Sequence, residues 1–378
     1  MKRVLIFLIT AVTVLVTGCA QRTGQEMPAK SNKIVFAVYR DGTDTMRSVV
    51  EGFTNKNPGI DIKIMELSDE GAENHRILGS VLAGNEVAVD ELAAEDIWMR
   101  EFEEAGYLQP LDSYVKPDFS EYPERISDTI YNEGKLYAIP LELDAGIMYY
   151  RRDLTDGELN YGTFLTNGAN YSIQGADKEE MICVVRECVN LTGGIQSGLE
   201  LYKSLVAGSE YATNNYLSDF KSGKTAYARS WVSNSTMLQY GFNNIRGKVK
   251  TRLLTADGGT YAAARVYCVA VNSASDKSKA VFIRKFLSYL LEEDTQLQIA
   301  KGRGTLPLRY KYYDSAVVCD YNDYNEDFAE WLDRLNFRPL MKNYMELSEK
   351  AQETIQRYIK GEAAVAEAAE AFGKIYGQ

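Results

Sequence analysis

Apolar and polar positions alternate along the first hundred residues in a way that predicts strands and helices in turn. Short runs with period two or continuous apolar character are typical of strands, and apolar residues recurring every three to four positions are typical of helices. The pattern predicts strands over 33–38, 60–67 and 87–92 and helices over 43–56, 75–83 and 95–105. Asn57-Pro58-Gly59 ends the first of these helices.

This alternation with short links predicts a parallel sheet covered by helices on both faces. In such sheets, ligands bind beyond the carboxyl ends of the strands. Those ends here comprise residues 39–41, 68–71 and 94–98, which supply charged, aromatic and small side chains. The topology therefore predicts a polar cleft at this edge of the sheet.

The rest of the chain continues the mixture of strands and helices. It predicts strands over 135–140, 147–150, 225–229 and 267–271 and helices over 196–206, 217–221 and 277–291. Residues 155–174 are polar, rich in Gly and Asn and without periodicity, which predicts an irregular loop. From about residue 327 the chain is expected to be nearly all helical, because Ala and Glu favour helix near its end.

Length and charge narrow the class of protein. A chain of 378 residues exceeds what one hydrophobic core usually serves, so two lobes are expected. The formal net charge of -11 argues against nucleic acid and anionic lipid as partners. Beyond the N-terminus we find no apolar run long enough to span a bilayer.

The N-terminus carries an export signal. Lys2 and Arg3 precede a short apolar stretch over 4–16, which ends in Val-Thr-Gly-Cys at Cys19. This ending resembles a bacterial lipobox, which implies cleavage before Cys19 and acyl chains on that residue. Two or more chains anchor a protein stably to a membrane. We therefore expect a signal peptide over 1–18, a flexible tether over 19–32, and a location on the outer side of the cell membrane.

The other cysteines and the single histidine do not suggest a metal or a catalytic centre. Export permits disulfides, and Cys183, Cys188, Cys268 and Cys319 allow three full pairings that the sequence cannot distinguish. No Cys/His cluster has metal-ligand spacing, and no nucleophile elbow or phosphate-cradling glycine motif is present. We expect no cofactor, no metal and no enzyme activity.

Four ordered segments carry a family resemblance. They are FTNKNPGI at 53–60, DIWMREFEEAGYLQPLD at 96–112, GKLYAIPLELDAGIMYYRRD at 134–153 and FKSGKTAYARSW at 220–231. Together with RGTLPL at 303–308, Arg338-Pro339 and the helical C-terminus, they resemble the family 1 extracellular solute-binding proteins of ABC importers, which include maltose-binding and other sugar-binding receptors. The matches cover nearly all of the mature chain but depart from the family over 155–194, where an unfamiliar loop is expected around Cys183 and Cys188.

The resemblance implies an α/β fold of the type II periplasmic-binding-protein class, with two lobes joined by hinge strands and a ligand cleft between them. It places the first lobe at 33–141 and 270–315 and the second at 142–269 and 316–378. It also implies that a monomer hands a small solute to the permease subunits of an importer, with lipid as its only contact with the membrane.

Sugars require carboxylates or amides for their hydroxyls and an aromatic ring for their weakly apolar face. Trp231 matches the family's cleft tryptophan, although an ordinary buried Trp would give the same sequence pattern. Asp96 and Trp98 begin a helix at a strand end, where Asp96 could instead complement the helix N-terminus. The full set of ligand-binding candidates is Arg40, Asp41, Asp96, Trp98, Asp144, Trp231, Gly258, Gly259 and Arg303.

The leading hypothesis is a receptor for a mono- or oligosaccharide or a related polyol. The same fold could serve another polar solute, such as a polyamine, a phosphorylated compound or chelated iron. From other classes, a polysaccharide-acting surface enzyme using two carboxylates, a sensor lobe and an adhesin are the remaining alternatives.

Overall fold

The first six elements follow the predicted alternation of strand and helix. A computed structural model describes residues 32–40, 42–84, 88–155, 170–173, 178–208, 215–240, 244–256, 259–314 and 331–377. The elements are β1 (Lys33–Val38), α1 (Thr45–Lys56), β2 (Asp61–Glu66), α2 (Gly71–Leu82), β3 (Glu91–Glu95) and α3 (Asp96–Glu104). Strand β1 pairs in parallel with both β2 and β3, so the predicted parallel pairing is confirmed for these three strands, whereas the next strand of the sheet, at Ala263–Val271, is antiparallel to β3.

The third strand lies later in the chain than predicted. Instead of 87–92 it covers Glu91–Glu95, where Phe36 of β1 faces Glu91. All five residues of β3 are buried, including both glutamates. The strand bounds were predicted wrongly because Glu91 and Glu95 stand at its ends, and hydropathy alone does not predict that carboxylates are buried.

The remaining elements are short strands and mostly amphipathic helices. The strands are β4 (Tyr131–Asn132), β5 (Lys135–Leu136), β6 (Ala138–Arg151), β7 (Tyr171–Ser172), β8 (Tyr227–Trp231), β9 (Val249–Leu253), β10 (Thr255–Ala256), β11 (Gly259–Thr260), β12 (Ala263–Val271) and β13 (Asn336–Phe337). The helices are α4 (Glu124–Ile130), α5 (Lys178–Thr192), α6 (Ile195–Gly208), α7 (Tyr216–Ser222), α8 (Ala280–Leu290), α9 (Glu293–Arg303), α10 (Tyr344–Ile359) and α11 (Val365–Tyr376).

Strand β6 connects the two parts of the sheet. The strand order is β2-β1-β3-β12-β6-β8-β7, with β13 on β12 and β9 on β6. The first half of β6, up to Ala145, pairs with β12, and from Gly146 it pairs with β8 and β9. The predicted strands over 135–140 and 147–150 therefore largely belong to one strand. Nearly all of its residues are buried, so the alternation that marks a half-exposed strand is missing.

The loop expected around Cys183 and Cys188 is a helix. Both residues lie on α5, where five positions of separation turn the side chains about 140° apart. Cys183, Cys188 and Cys268 are buried free thiols. A small disulfide loop between Cys183 and Cys188 is therefore absent, and Cys319 lies outside the described residues.

Residues 32–378 form one compact unit. Aromatic packing stabilises the part of this unit around β1 and α1, where the centre of the Phe286 ring of α8 lies 5.4 Å from that of Phe36 and 5.0 Å from that of Phe53. The helical end of the chain is confirmed by α10 and α11, which pack against each other and against α5 and α6. Among the described residues, no helix is both long and apolar enough to cross a membrane.

Candidate functional site: a polar cleft at the strand ends

A cleft of about 540 Å³ opens at the carboxyl ends of β1 and β3, between them and the face of α10. Its walls also include residues of α5, β8 and β12. The polar, aromatic and thiol side chains that line it include Tyr39, Asp69, Glu70, Glu95, Trp98, Glu179, Glu180, Cys183, Trp231, Arg265, Tyr267, Arg338, Glu349, Gln352 and Glu353. A second depression, of about 570 Å³, lies at the outer edge of the sheet between β2 and α1. Among the described residues, no aromatic side chain lines that depression, so the cleft at the strand ends is the better candidate ligand site.

Trp231 forms part of the cleft wall but is held tightly by its neighbours. The guanidinium carbons of Arg265 and Arg229 lie 4.0 Å and 4.7 Å from the centre of its ring. Its indole N–H donates a hydrogen bond to Glu180, and only 3% of the residue is exposed. Trp231 is therefore a packed element of the wall, with most of its ring surface already in contact with the protein.

Two tyrosines stack at the base of the same region. The rings of Tyr39 and Tyr267 are 4.2 Å apart and nearly parallel. Tyr39 donates a hydrogen bond to Glu142, which also accepts one from Arg303 at 2.7 Å. Burial raises the pKa of Tyr39 well above its usual value, so its hydroxyl stays protonated at neutral pH.

Arg265 is fixed between two carboxylates. Its guanidinium donates to Asp144 at 3.0 Å and to Glu180 at 3.2 Å. The Ser233 hydroxyl also donates to Asp144, at 2.7 Å. Asp144, only 1% exposed, therefore holds the cleft-lining arginine in place and does not line the cleft itself.

Arg338 links acids from distant parts of the chain. It donates to Glu95 at 2.7 Å and to Asp96 at 3.3 Å, and its other terminal nitrogen lies 3.5 Å from Glu179. Burial raises the pKa of Asp96 to about 6, even though the Arg338 charge opposes that shift. Burial likewise raises the pKa of Glu179. This cluster fixes the orientation of three carboxylates around the cleft.

Trp98 is the cleft residue with the clearest unmet hydrogen-bonding capacity. The residue is 3% exposed, and its indole N–H has no hydrogen-bond partner within the described part of the chain. The Nε atoms of Arg265 and Arg338, both cleft-lining, are in the same state. Buried donors of this kind cost free energy unless they meet an acceptor, so a ligand oxygen would stabilise them.

The structure places the sequence-predicted residues in three different settings. Trp98 and Trp231 line the cleft. Asp96, Asp144 and Arg303 are buried in ion pairs behind it, because arginines or acids from distant segments neutralise them. Arg40, with a 62% exposed side chain near Glu66, and Gly259, in the β10–β11 hairpin, are not among the residues that line the cleft. Asp41 and Gly258 lie outside the described residues. Ligand contact by any of them stays a prediction.

Several cleft residues were not predicted. Glu179, Glu180 and Arg338 come from segments without a recognisable site motif, and only the fold brings them to the strand ends. The polar face of α10, with Glu349, Gln352 and others at helical spacing, has the pattern of an ordinary solvated helix face. Among the described residues, no group of three His, Cys, Asp or Glu side chains could hold a metal ion.

Comparison with known proteins confirms the family resemblance. Residues 39–182 match the family model of bacterial extracellular solute-binding proteins. A relative from Brucella abortus (strain 2308), named only as a binding protein, is 22% identical over 356 residues, covering 83% of this chain and 84% of its own.

Solved structures confirm the fold. Maltose-bound MalE3 of T. maritima has a TM-score of 0.80 at 20% identity, covering 90% of this chain and 98% of its own. A ribitol-bound ABC transporter solute-binding protein from Agrobacterium radiobacter K84 has a TM-score of 0.77 at 16% identity, covering 91% and 98%. The chain thus matches the bacterial extracellular solute-binding protein family over residues 39–182 and has the two-lobe periplasmic-binding-protein fold.

Proposed function

We propose that this protein is the extracytoplasmic receptor of an ABC importer and that it binds a saccharide or polyol in the cleft at the strand ends. The observation that carries this proposal is the cleft itself, which combines aromatic rings, buried N–H donors without partners and carboxylates. Hydroxyl-rich ligands need this combination, because each hydroxyl both donates and accepts and each ring has a weakly apolar face. The ligands named for the similar structures, maltose and ribitol, belong to this class.

The proposed mechanism is closure of two lobes around the ligand. We assign 33–141 and 270–315 to the first lobe and the rest of the body to the second, with β6 and β12 among the segments that pass between them. On this assignment Trp98 and Glu95 belong to the first lobe, and Glu180 and Trp231 to the second. A ligand touching both sets stabilises the closed arrangement, which the permease would recognise.

We further propose that Cys19 carries the lipid anchor and that residues 19–32 tether the receptor to the outer face of the membrane. The receptor then needs no spanning helix of its own. Globomycin, which blocks lipoprotein signal peptidase, should cause an uncleaved precursor to accumulate. A Cys19→Ala variant should fail to incorporate labelled palmitate.

A thermal-shift and calorimetric screen of the purified protein against sugars and polyols tests the function. A ligand at about 100 times its Kd adds about 2.7 kcal/mol to the free energy of unfolding. Arg125→Ala, an exposed residue of α4 outside the cleft lining, should respond like the wild type. Absence of any response across the library, or hydrolysis of a glycan panel by the purified protein, would contradict the proposal.

A further inference from the structure

The mouth of the cleft is lined by acids on both sides. Asp69 and Glu70 precede α2 on one side, and Glu349 and Glu353 project from α10 on the other. All four are exposed, and among the described residues none of them has an ion-pair partner. We name these four residues the acidic rim.

The other residues that line the cleft do not neutralise the negative charge of the acidic rim. Counting the deeper residues, seven carboxylates and two guanidinium groups of the described chain line the cleft. Both guanidinium groups are already engaged, Arg265 with Asp144 and Glu180, and Arg338 with Glu95 and Asp96. A negatively charged ligand would therefore meet a surplus of negative charge, because both cations among the described lining residues are already paired with carboxylates.

Local structure explains only part of the acidic rim. Asp69 and Glu70 stand just before the first turn of α2, where negative side chains also complement the helix dipole. Glu349 and Glu353 lie in the middle of α10 at a spacing of four residues, where like charges weaken a helix. The repulsion within that pair would fall if a cation lay between the two walls of the cleft.

Two observations indicate which kind of cation would bind, namely the arrangement of the four acids and the residues deeper in the cleft. The acids do not form a group that could hold a metal ion. Trp98 lines the same cleft, and its buried indole N–H, which has no partner among the described residues, requires an acceptor oxygen. We propose, building on the proposed function, that the ligand is a hydroxyl-rich solute bearing protonated amines, such as an amino sugar or its oligomer, whose ammonium groups lie against the acidic rim.

Competitive calorimetry with matched ligands tests this inference. We expect glucosamine and chitosan oligomers to bind about tenfold more tightly than glucose and cello-oligomers of equal length, a difference of about 1.4 kcal/mol. Glucuronate and its oligomers should bind most weakly. The preference should shrink at high salt, because exposed charges are screened.

Charge-neutralising variants identify the source of the preference. Replacing all four rim residues, as Asp69→Asn, Glu70→Gln, Glu349→Gln and Glu353→Gln together, should reduce amine binding to the level of the neutral sugar. The control combines Glu51→Gln and Glu346→Gln, two exposed acids outside the cleft lining, and should keep the preference. Equal or tighter binding of neutral or acidic sugars by the wild type would overturn this inference and leave the receptor function standing. Absence of binding by every saccharide would overturn both.

Discussion

At the scale of single residues, two tryptophans in one cleft have opposite hydrogen-bonding states. The Trp231 N–H donates to Glu180, whereas the Trp98 N–H is buried without a partner among the described residues. An unpaired buried N–H costs about 1–3 kcal/mol, which a ligand acceptor can recover. Trp231 is therefore a packed part of the cleft wall, whereas Trp98 is the residue that we propose to bind a ligand oxygen.

We predict that Trp98→Phe weakens ligand binding by up to about tenfold but changes the unliganded free energy of unfolding by less than about 1 kcal/mol, because loss of the unpaired N–H offsets loss of packing. Trp231→Phe, the matched variant, should lower that unliganded free energy by about 1–3 kcal/mol, because it breaks a satisfied bond. Calorimetry and urea denaturation measure both quantities. Undiminished affinity in Trp98→Phe would remove Trp98 from the binding site.

Glu91 is a second residue whose environment has a measurable consequence. It is fully buried in β3, and neither carboxylate oxygen has a partner in the described chain, whereas the adjacent Asp90 accepts from Lys279 and Ser275. Burial, with a smaller contribution from Asp90, raises the pKa of Glu91 well above its usual value. The protonated side chain is therefore the form that suits the fold.

Because the folded-state pKa is raised, the stability that Glu91 contributes is fully present below its unfolded pKa of about 4.3 and is lost as the pH rises towards the folded value. Between the two values the loss is about 1.4 kcal/mol per pH unit. Glu91→Gln should remove this slope, so its stability relative to wild type increases with pH. Urea denaturation over a pH series measures it, and the exposed Glu51→Gln should retain the wild-type slope. An unchanged slope in Glu91→Gln would show that Glu91 is ionised in the folded protein.

At the scale of elements, packing of α6 against α5 supports one wall of the cleft, because Glu179, Glu180 and Cys183 lie on α5. The contact is close at Gly198 of α6, where a Cβ would lie 2.5 Å from a side-chain methyl of Val189 and 2.6 Å from its backbone. A backbone cannot rotate away as a side chain can. This glycine is needed for the close approach of the two helices.

We predict that Gly198→Ala lowers the free energy of unfolding by about 1–3 kcal/mol through overpacking. Gly79→Ala is the matched control, because Gly79 also lies within a helix but has open space at its Cβ position. That control should raise stability by up to about 1 kcal/mol through helix propensity. Stabilisation by both substitutions would contradict the close packing of α5 and α6.

The same elements show what sequence patterns could and could not predict. The helix over 43–56 and the strand over 33–38 were found almost to the residue, because their apolar periodicity is local. Strand β6 was broken in two, because burial on both faces erases alternation. Helix α5 was missed because residues 181–185 and 187–189 are all buried, which hides the amphipathic period of a helix. The expected departure from the family over 155–194 is wrong up to residue 182, where the family model still matches. The topology predicted that the cleft lies at the strand ends. It did not predict which arginines line the cleft, because an ion pair between residues 243 positions apart, such as Arg338 and Glu95, leaves no local sequence pattern.

At the scale of the whole molecule, Arg338 connects segments that are far apart in sequence. On our lobe assignment, Arg338 and Glu179 belong to the second lobe and Glu95 and Asp96 to the first. The bonds from Arg338 to Glu95 and Asp96 would then cross between the lobes. They would favour the closed arrangement before any ligand binds, and a ligand would add contacts to an interface already partly formed.

Arg338→Met tests how strongly this cluster holds the molecule together. Loss of the guanidinium leaves buried carboxylates without compensation, so we predict a loss of about 3–5 kcal/mol in the free energy of unfolding at neutral pH. The loss should be smaller in acid, because Asp96, whose pKa is already about 6, and its neighbours can then take up protons. Arg125→Met removes only an exposed pair with Asp128 within one helix turn and should cost less than about 1 kcal/mol. Urea denaturation of both variants at neutral and acidic pH measures these differences. Equal losses for the two arginines would mean that the Arg338 cluster is no stronger than a surface ion pair, and that closure must then depend on the ligand.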